Sequence, residues 1–221
     1  MLRRAQNVRG RHVRWALAIA ALSLATPNWN SALAVDGDLQ VVRVEETWEL
    51  VIGDPDTETS GPQITCAISP VGDLSGQHCL LTLNHRNHPS FSAGGLQLQV
   101  WNNESVVSAK KYPKEDLLGT SGETVSWTMK MSLNDGALIF DVDDGVSSTW
   151  GNFGSNGHLW DSTTANLSNL NGYDPAVSVA NSGVGFAANR VQSLVLKKVR
   201  LVLSSGQVLD DNTPRVVHSQ D

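Results

Sequence analysis

Alternation of apolar and polar residues is the feature that most constrains what this chain can fold into. From Val125 to Leu133 every odd position is apolar and every even position is polar. Successive side chains of a β-strand point to opposite faces, so such a segment has one buried face and one solvated face. The same period recurs along the chain, and no segment after the N-terminal region sustains helical spacing over three turns. The sequence therefore predicts an all-β protein.

Two Asp-Gly dipeptides follow this strand, at Asp135-Gly136 and at Asp144-Gly145. Asp-Gly between alternating runs favours a two-residue type I′ turn, in which both central residues have positive φ. A turn centred on the first dipeptide places Leu133 opposite Leu138 and brings the apolar residues of both strands onto one face. A slip of one residue would send one apolar set to solvent, so the pattern predicts the register as well as the turn.

Further strands are predicted by the same criterion, which brings the total to about eleven. They span residues 39–52, 63–69, 77–86, 96–101, 105–112, 177–179, 184–188 and 193–203. This number of strands in one domain predicts a two-sheet antiparallel β-sandwich of the jelly-roll type, with a closed barrel as the alternative. Residues 151–174, rich in Gly, Asn and Ser, are predicted to form surface loops.

The N-terminus has the pattern of a secretory signal peptide. Five arginines precede a ten-residue apolar run, 16–25, and a small-x-small triplet ends at Ala34. The run is too short to span a bilayer, and the alternative is an amphipathic first helix. Cleavage after Ala34 divides the chain into a signal peptide (1–34), a sandwich domain (35–205) and a C-terminal tail (206–221). A secreted or periplasmic location follows from this division.

Charge excludes two classes of partner. The whole chain carries a formal charge of −6, and loss of the five N-terminal arginines leaves 11 basic against 22 acidic side chains, a net charge of −11. Nucleic acids and anionic membrane surfaces are bound by clustered Lys and Arg, so neither partner is expected. No later apolar stretch reaches transmembrane length, so no membrane insertion is expected either.

Cys66 and Cys79 are the only cysteines. In an exported protein two cysteines usually form one disulfide. If the strands on either side of the turn-rich segment 70–76 form a symmetric hairpin, the two residues face each other at a separation that a disulfide accepts. The sequence thus predicts a structural disulfide, with a free thiol pair or a metal site as the alternatives.

One predicted sheet face has the composition of a sugar-binding surface. With the leucines of strands 77–86 and 96–101 pointing inward, planar and polar side chains share the opposite face. They are Thr82, Asn84, Arg86, Gln97, Gln99 and Trp101. Amides and guanidinium groups satisfy sugar hydroxyls, and an aromatic ring lies under a pyranose. The alternative is an ordinary solvated face. The loop with Trp150, His158 and Trp160 is the next candidate region.

Common catalytic motifs such as G-x-S-x-G and H-E-x-x-H are absent from the sequence. Two groups of acidic residues are weaker indications of function. Asp141 and Asp143 share a strand face about 6.6 Å apart, close to the carboxyl spacing of glycosidases. Turn chemistry also explains an Asp at 143. Asp54, Asp56 and Glu58 alternate in a loop and could supply oxygen ligands to Ca²⁺, but a solvated acidic loop is the favoured interpretation. We assign no catalytic residue and no cofactor.

The C-terminal third resembles a known family. Residues 182–186, Ser-Gly-Val-Gly-Phe, precede a long strand that bears Val199-Arg200. This is similar to the closing strands of concanavalin A-like lectin/glucanase jelly rolls. The resemblance implies the jelly-roll fold from about Leu39 to Leu203. β-Glucan-cleaving members carry Glu-x-Asp-x-Glu or Glu-x-Asp-x-x-Glu on one strand. Phe140-Asp-Val-Asp143 lacks both glutamates, so hydrolysis is not implied.

These observations lead to an expected function. We expect a secreted, non-catalytic β-sandwich that binds an extracellular polysaccharide or a cell-surface glycan. One alternative is a glycan-degrading enzyme, either a glycoside hydrolase or a polysaccharide lyase, whose catalytic groups come from separate strands. The other is a structural or adhesive module. Fold alone does not decide among these functions.

Overall fold

The computed structural model describes residues 39–54, 61–88, 94–155 and 157–220, which form two antiparallel β-sheets. The strands, in chain order, are β1 (Val41–Ile52), β2 (Gln63–Ile68), β3 (Gln77–Asn84), β4 (Gly95–Asn102), β5 (Ser105–Pro113), β6 (Thr124–Asn134), β7 (Ala137–Ser147), β8 (Gly151–Phe153), β9 (Trp160–Thr164), β10 (Gly183–Phe186), β11 (Val191–Leu203), β12 (Val208–Asp211) and β13 (Arg215–Ser219). One α-helix, α1 (Pro175–Asn181), and a 3₁₀ turn (Ala188–Arg190) complete the described part. The predicted all-β, two-sheet antiparallel sandwich is confirmed. The predicted signal peptide lies outside the described residues.

The larger sheet has eight strands. Its order is β12-β11-β1-β6-β7-β8, with β13 also paired to β11 and β9 also paired to β7. The smaller sheet has the order β10-β2-β3-β4-β5. Apolar residues at alternate positions of both sheets fill the space between them, and Trp48 of β1 pairs in register with Trp127 of β6 at its centre. This is the burial that the period-two pattern predicts.

The first Asp-Gly turn has the predicted geometry. Asp135 has φ 48° and Gly136 has φ 76°, and Leu133 pairs with Leu138 across the β6–β7 hairpin. The predicted turn and register are therefore both confirmed. A two-residue loop leaves no freedom in which residues face each other, so the apolar pattern and the turn specify the same pairing.

The prediction of a second hairpin turn at Asp144-Gly145 is wrong. β7 continues through both residues to Ser147. The pairing with β6 shifts between Asp143 and Val146, so the dipeptide forms a β-bulge rather than a turn. Gly145 is needed for space, since a Cβ there would lie 2.5 Å from the Phe153 ring. Packing against β8 therefore explains this glycine.

The predicted pairing of the cysteines is also wrong. Cys66 pairs with Leu81, and Cys79 pairs with Ile68, two positions from the predicted register. β2 leaves the sheet at Ser69-Pro70, whereas the start of β3 continues to pair with β4, so the loop is not symmetric. Cys66 and Cys79 are diagonal neighbours, and such Cα atoms are about 7 to 8 Å apart, beyond the usual disulfide range. Both are free, buried thiols in this structure.

Several short elements differ from the sequence prediction. Residues 177–179, predicted as a strand, lie in α1. Asp174 caps the N-terminus of this helix, where its side chain accepts a hydrogen bond from the Ala176 N–H at 2.8 Å. The predicted loops in 151–174 include β8 and β9, and the predicted tail includes β12 and β13. These strands have three to five residues, too few for alternation to be recognised.

Candidate functional site

The predicted polar face lies on the outer side of the five-stranded sheet. Thr82 of β3 pairs with Gln97 of β4, Leu80 pairs with Gln99, and His78 pairs with Trp101. Arg86 lies beyond the end of β3, in an exposed turn. The strands therefore bring together five of the six predicted residues.

Much of this face is inaccessible. Thr82 is 6% exposed and Asn84 is 1% exposed. The Gln63 Nε2 amide donates to Asn84 Oδ1 at 2.8 Å, and the Trp101 ring stacks on His78 with centroids 6.0 Å apart. The side chains of Gln97, Gln99 and Trp101 are partly accessible to solvent. This surface offers a ligand fewer contacts than the sequence pattern predicts.

A better-formed concave site lies beside it, where the end of β5 meets the β7–β8–β9 region. We call it the side cleft, and its volume is about 400 Å³, within the range of small-molecule sites. Its lining residues come from three strands and one loop. They are Tyr112, Asp144, Gly145, Val146, Asn152, Phe153, Gly154, Ser155 and His158.

Aromatic rings form part of the cleft wall. Tyr112 and His158 have ring centroids 4.5 Å apart, so a strand of the smaller sheet contacts the loop after β8. Phe153 packs against Trp150 with centroids 5.2 Å apart, and Lys114 Nζ lies 5.3 Å from the centre of the Trp150 ring. Aromatic pairs and a cation over an indole both favour fixed ring positions. The cleft thus has a preformed aromatic wall.

Two glycines allow the close packing of the cleft wall against β7. Gly145 lies against the Phe153 ring, as described above. Gly154 has φ 74°, and a Cβ there would lie 2.4 Å from the Val142 carbonyl oxygen. The Gly154 N–H donates to His158 Nε2 at 3.4 Å, which links this backbone position to the aromatic wall. The close approach of the loop to β7 therefore depends on glycine at 154.

A buried carboxylate supports the wall from behind. Trp150 Nε1 donates to Glu123 Oε1 at 2.7 Å, and Ser147 Oγ donates to the same oxygen at 3.2 Å. Glu123 is fully buried. Glu123 Oε1 thus accepts hydrogen bonds from both the Trp150 indole and the Ser147 hydroxyl. The orientation of Trp150 relative to Phe153 is therefore fixed by hydrogen bonds as well as by packing.

The acidic pair Asp141 and Asp143 lies next to the cleft but does not line it. A hydrogen bond from Lys130 lowers the pKa of Asp143, with a second from Ser155. Burial raises the pKa of Asp141, and the neighbouring charge of Asp143 raises it further. Asp141 Oδ1 is buried without a hydrogen-bond partner among the described residues. The pKa values of the two carboxyl groups are therefore shifted in opposite directions.

The predicted calcium ligands are only partly described. Asp54 accepts a hydrogen bond from Ser121 Oγ at 2.7 Å, and Asp56 and Glu58 lie outside the described residues. Within the described ranges, no group of three His, Cys, Asp or Glu side chains is arranged to hold a metal ion.

Sequence analysis missed a second buried carboxylate, Glu46 of β1. It accepts hydrogen bonds from Tyr173 Oη at 2.7 Å, from Ser178 Oγ of α1 and from Trp48 Nε1 at 3.1 Å. Complete burial raises its pKa to about 7, although these donors lower it. The signal was present in the sequence, since Glu46 lies in the same phase of the alternation as Val44 and Trp48. Glu46 joins the large sheet to α1.

Comparison with known proteins adds no identification: no family model matches the chain, and no curated protein is significantly similar to it. Among the helices that the structure describes, none has the length and apolar character to span a membrane.

Proposed function

We propose that this chain is a secreted or periplasmic, non-catalytic β-sandwich that binds a carbohydrate, and that the ligand occupies the side cleft. The observation that carries the proposal is the combination of a preformed aromatic wall with exposed polar groups in one cavity of about 400 Å³. Sugar sites need both an apolar surface for the ring face and polar groups for the hydroxyls. The sequence resemblance to concanavalin A-like lectins supports the same function.

The polar side of the cleft suits a ligand with hydroxyl groups. Asp144, Asn152 and Ser155 are exposed, and they offer a carboxylate, an amide and a hydroxyl. The Asp144 N–H donates to Ser155 Oγ at 3.1 Å, which holds the bulge and the loop in a fixed relation. A ligand therefore meets a Ser155 hydroxyl that is already positioned, which lowers the entropic cost of binding.

Binding should depend on His158 and not on Trp101. We expect His158→Ala to weaken binding by about 10- to 100-fold, because it removes an aromatic contact from the cleft wall. Trp101→Ala, on the face first predicted from sequence, should bind as the parent does. A glycan array would identify the ligand, and calorimetric titration of the parent and both variants would compare affinities. Loss of binding in Trp101→Ala with retention in His158→Ala would transfer the site to the sheet face. Absence of any glycan ligand would contradict the proposal.

A glycan-cleaving enzyme is the second candidate, and the opposite pKa directions of Asp141 and Asp143 favour it. A pair of carboxyl groups with divergent pKa values is the usual arrangement of a general acid and its partner. Two observations oppose an enzymatic function. Asp143 forms a salt bridge with Lys130, and neither carboxyl group lines the cleft. Incubation of the bound glycan with the chain distinguishes the two functions. Product formation that disappears in Asp141→Asn would establish an enzyme.

A further inference from the structure

We infer that the side cleft selects an uncharged saccharide and discriminates against acidic saccharides that carry uronate or sulfate groups. This inference rests on the proposed function and adds the chemical class of the ligand. Negative charge on an otherwise identical sugar changes its affinity for a binding site strongly.

The lining of the cleft contains no lysine and no arginine among the described residues. Carboxylate and sulfate groups are usually recognised by guanidinium or ammonium groups, which supply charge-assisted hydrogen bonds. The charged side chain at the wall is instead Asp144, which is exposed. A ligand carboxylate in this cleft would meet a like charge and no permanent positive charge.

Three lysines on the neighbouring elements already have partners. Lys130 pairs with Asp143, and Lys110 lies 3.8 Å from Asp161. Lys114 is directed over the Trp150 ring. Recruiting any of these groups to an acidic ligand would break a contact that already exists, so each is a weaker counter-charge than an unpaired lysine in the cleft lining would be.

The surroundings reinforce the same sign. Asp141 lies on β7 three residues before Asp144, and the whole chain carries a formal charge of −6, whereas the charge of Asp143 is balanced by Lys130. A negative field lowers the association rate and the affinity of an anionic ligand and leaves those of a neutral ligand unchanged. Hydroxyl groups can donate to Asp144, so the carboxylate that repels a uronate accepts hydrogen bonds from a neutral sugar.

Matched oligosaccharides test this inference. Gluco-, manno- and galacto-oligosaccharides would each be titrated into the chain beside the corresponding oligouronate, in which only the C6 hydroxymethyl group is replaced by carboxylate. We expect a neutral member to bind and its uronate partner to bind about five- to tenfold more weakly or not at all, as for two like charges at close range in a solvent-exposed setting. A uronate that binds as tightly as its neutral partner would overturn the inference and leave the proposed function standing.

Asp144→Asn tests the cause of the discrimination. Asp144 has φ 51°, a conformation that Asn adopts readily, so the variant should fold. Asp144→Asn should reduce the ratio of the affinity for the neutral ligand to the affinity for its uronate partner several-fold. Glu104→Gln removes an equal charge from the opposite end of β5 and should leave the difference unchanged. Equal effects of both variants, or none of Asp144→Asn, would overturn the inference. If no member of any pair binds, the proposed function itself fails.

Discussion

Gly154→Ala is expected to destabilise the chain by about 3 kcal/mol or more. A left-handed backbone conformation costs an L-residue about 1 to 2 kcal/mol, and overlap with neighbouring atoms typically adds about 1 to 3 kcal/mol. Both apply at this position, where φ is 74° and the new Cβ would lie 2.4 Å from a backbone oxygen of Val142. The loop must move away from β7 to accommodate the methyl group, so glycan binding should be lost as well. Denaturant unfolding and calorimetric titration measure the two effects.

Gly136→Ala is the matched control for this prediction. Gly136 has nearly the same φ, 76°, but no atom lies within 4 Å of a Cβ built there. We expect a cost of about 1 to 2 kcal/mol from backbone strain alone, with binding unchanged. Equal destabilisation by the two substitutions would contradict the close packing of the loop against β7.

The stability of the chain should fall by about 3 kcal/mol as Glu46 ionises, the free-energy equivalent of its pKa difference between folded and unfolded states. The folded-state pKa of about 7 lies above the ordinary value of 4.5, so the folded state binds the proton more tightly. The contribution is complete below pH 4.5 and is lost as the pH rises through about 7. Tyr173, Arg215 and Cys66 are the other titratable groups that interact with Glu46.

Glu46→Gln isolates this contribution. Glutamine has nearly the same shape, accepts hydrogen bonds through its carbonyl oxygen and does not titrate in this range. Unfolding free energies of the parent and of the variant at pH 5 and pH 8 give the difference directly. We expect the parent to lose about 2.5 kcal/mol more than the variant over this interval, because pH 5 already lies slightly above the unfolded-state pKa. Parallel pH profiles would show that Glu46 is already ionised, or already solvated, at pH 5.

The sequence predicts pairing well where a turn is short. At Asp135-Gly136 the two-residue loop and the apolar alternation specify one register, which the structure has. Between β2 and β3 the loop is longer, and Pro70 cannot donate to the ladder, so the strands separate unequally. Symmetry about the loop was therefore a poor guide to the position of Cys66.

Local sequence cannot distinguish the two Asp-Gly dipeptides. The first has open space around its glycine, whereas the second lies under Phe153, which is eight residues away in the chain. Tertiary packing therefore decides that one dipeptide forms a turn and the other a bulge. The effect of Phe153 becomes apparent only when β8 is placed beside β7.

The side cleft could not be derived from any single pattern. Its residues come from β5, from the bulge of β7, and from the β8 region and the loop that follows. The sequence places His158 in an aromatic loop, but its contact with Tyr112 joins that loop to an edge strand of the smaller sheet. Alternation identifies which strand faces are buried, and it contains no information about how the edges of the two sheets approach each other.

The central claim is that a glycan binds in the side cleft. Chemical-shift mapping of the labelled chain during titration with the array-identified glycan tests it most directly. The claim predicts that the backbone amide signals of Gly145, Gly154 and Ser155 move with the ligand while the Trp101 indole N–H signal stays in place. Movement of the Trp101 indole and of the Gln97 and Gln99 side-chain amides, with the cleft signals unchanged, would contradict it.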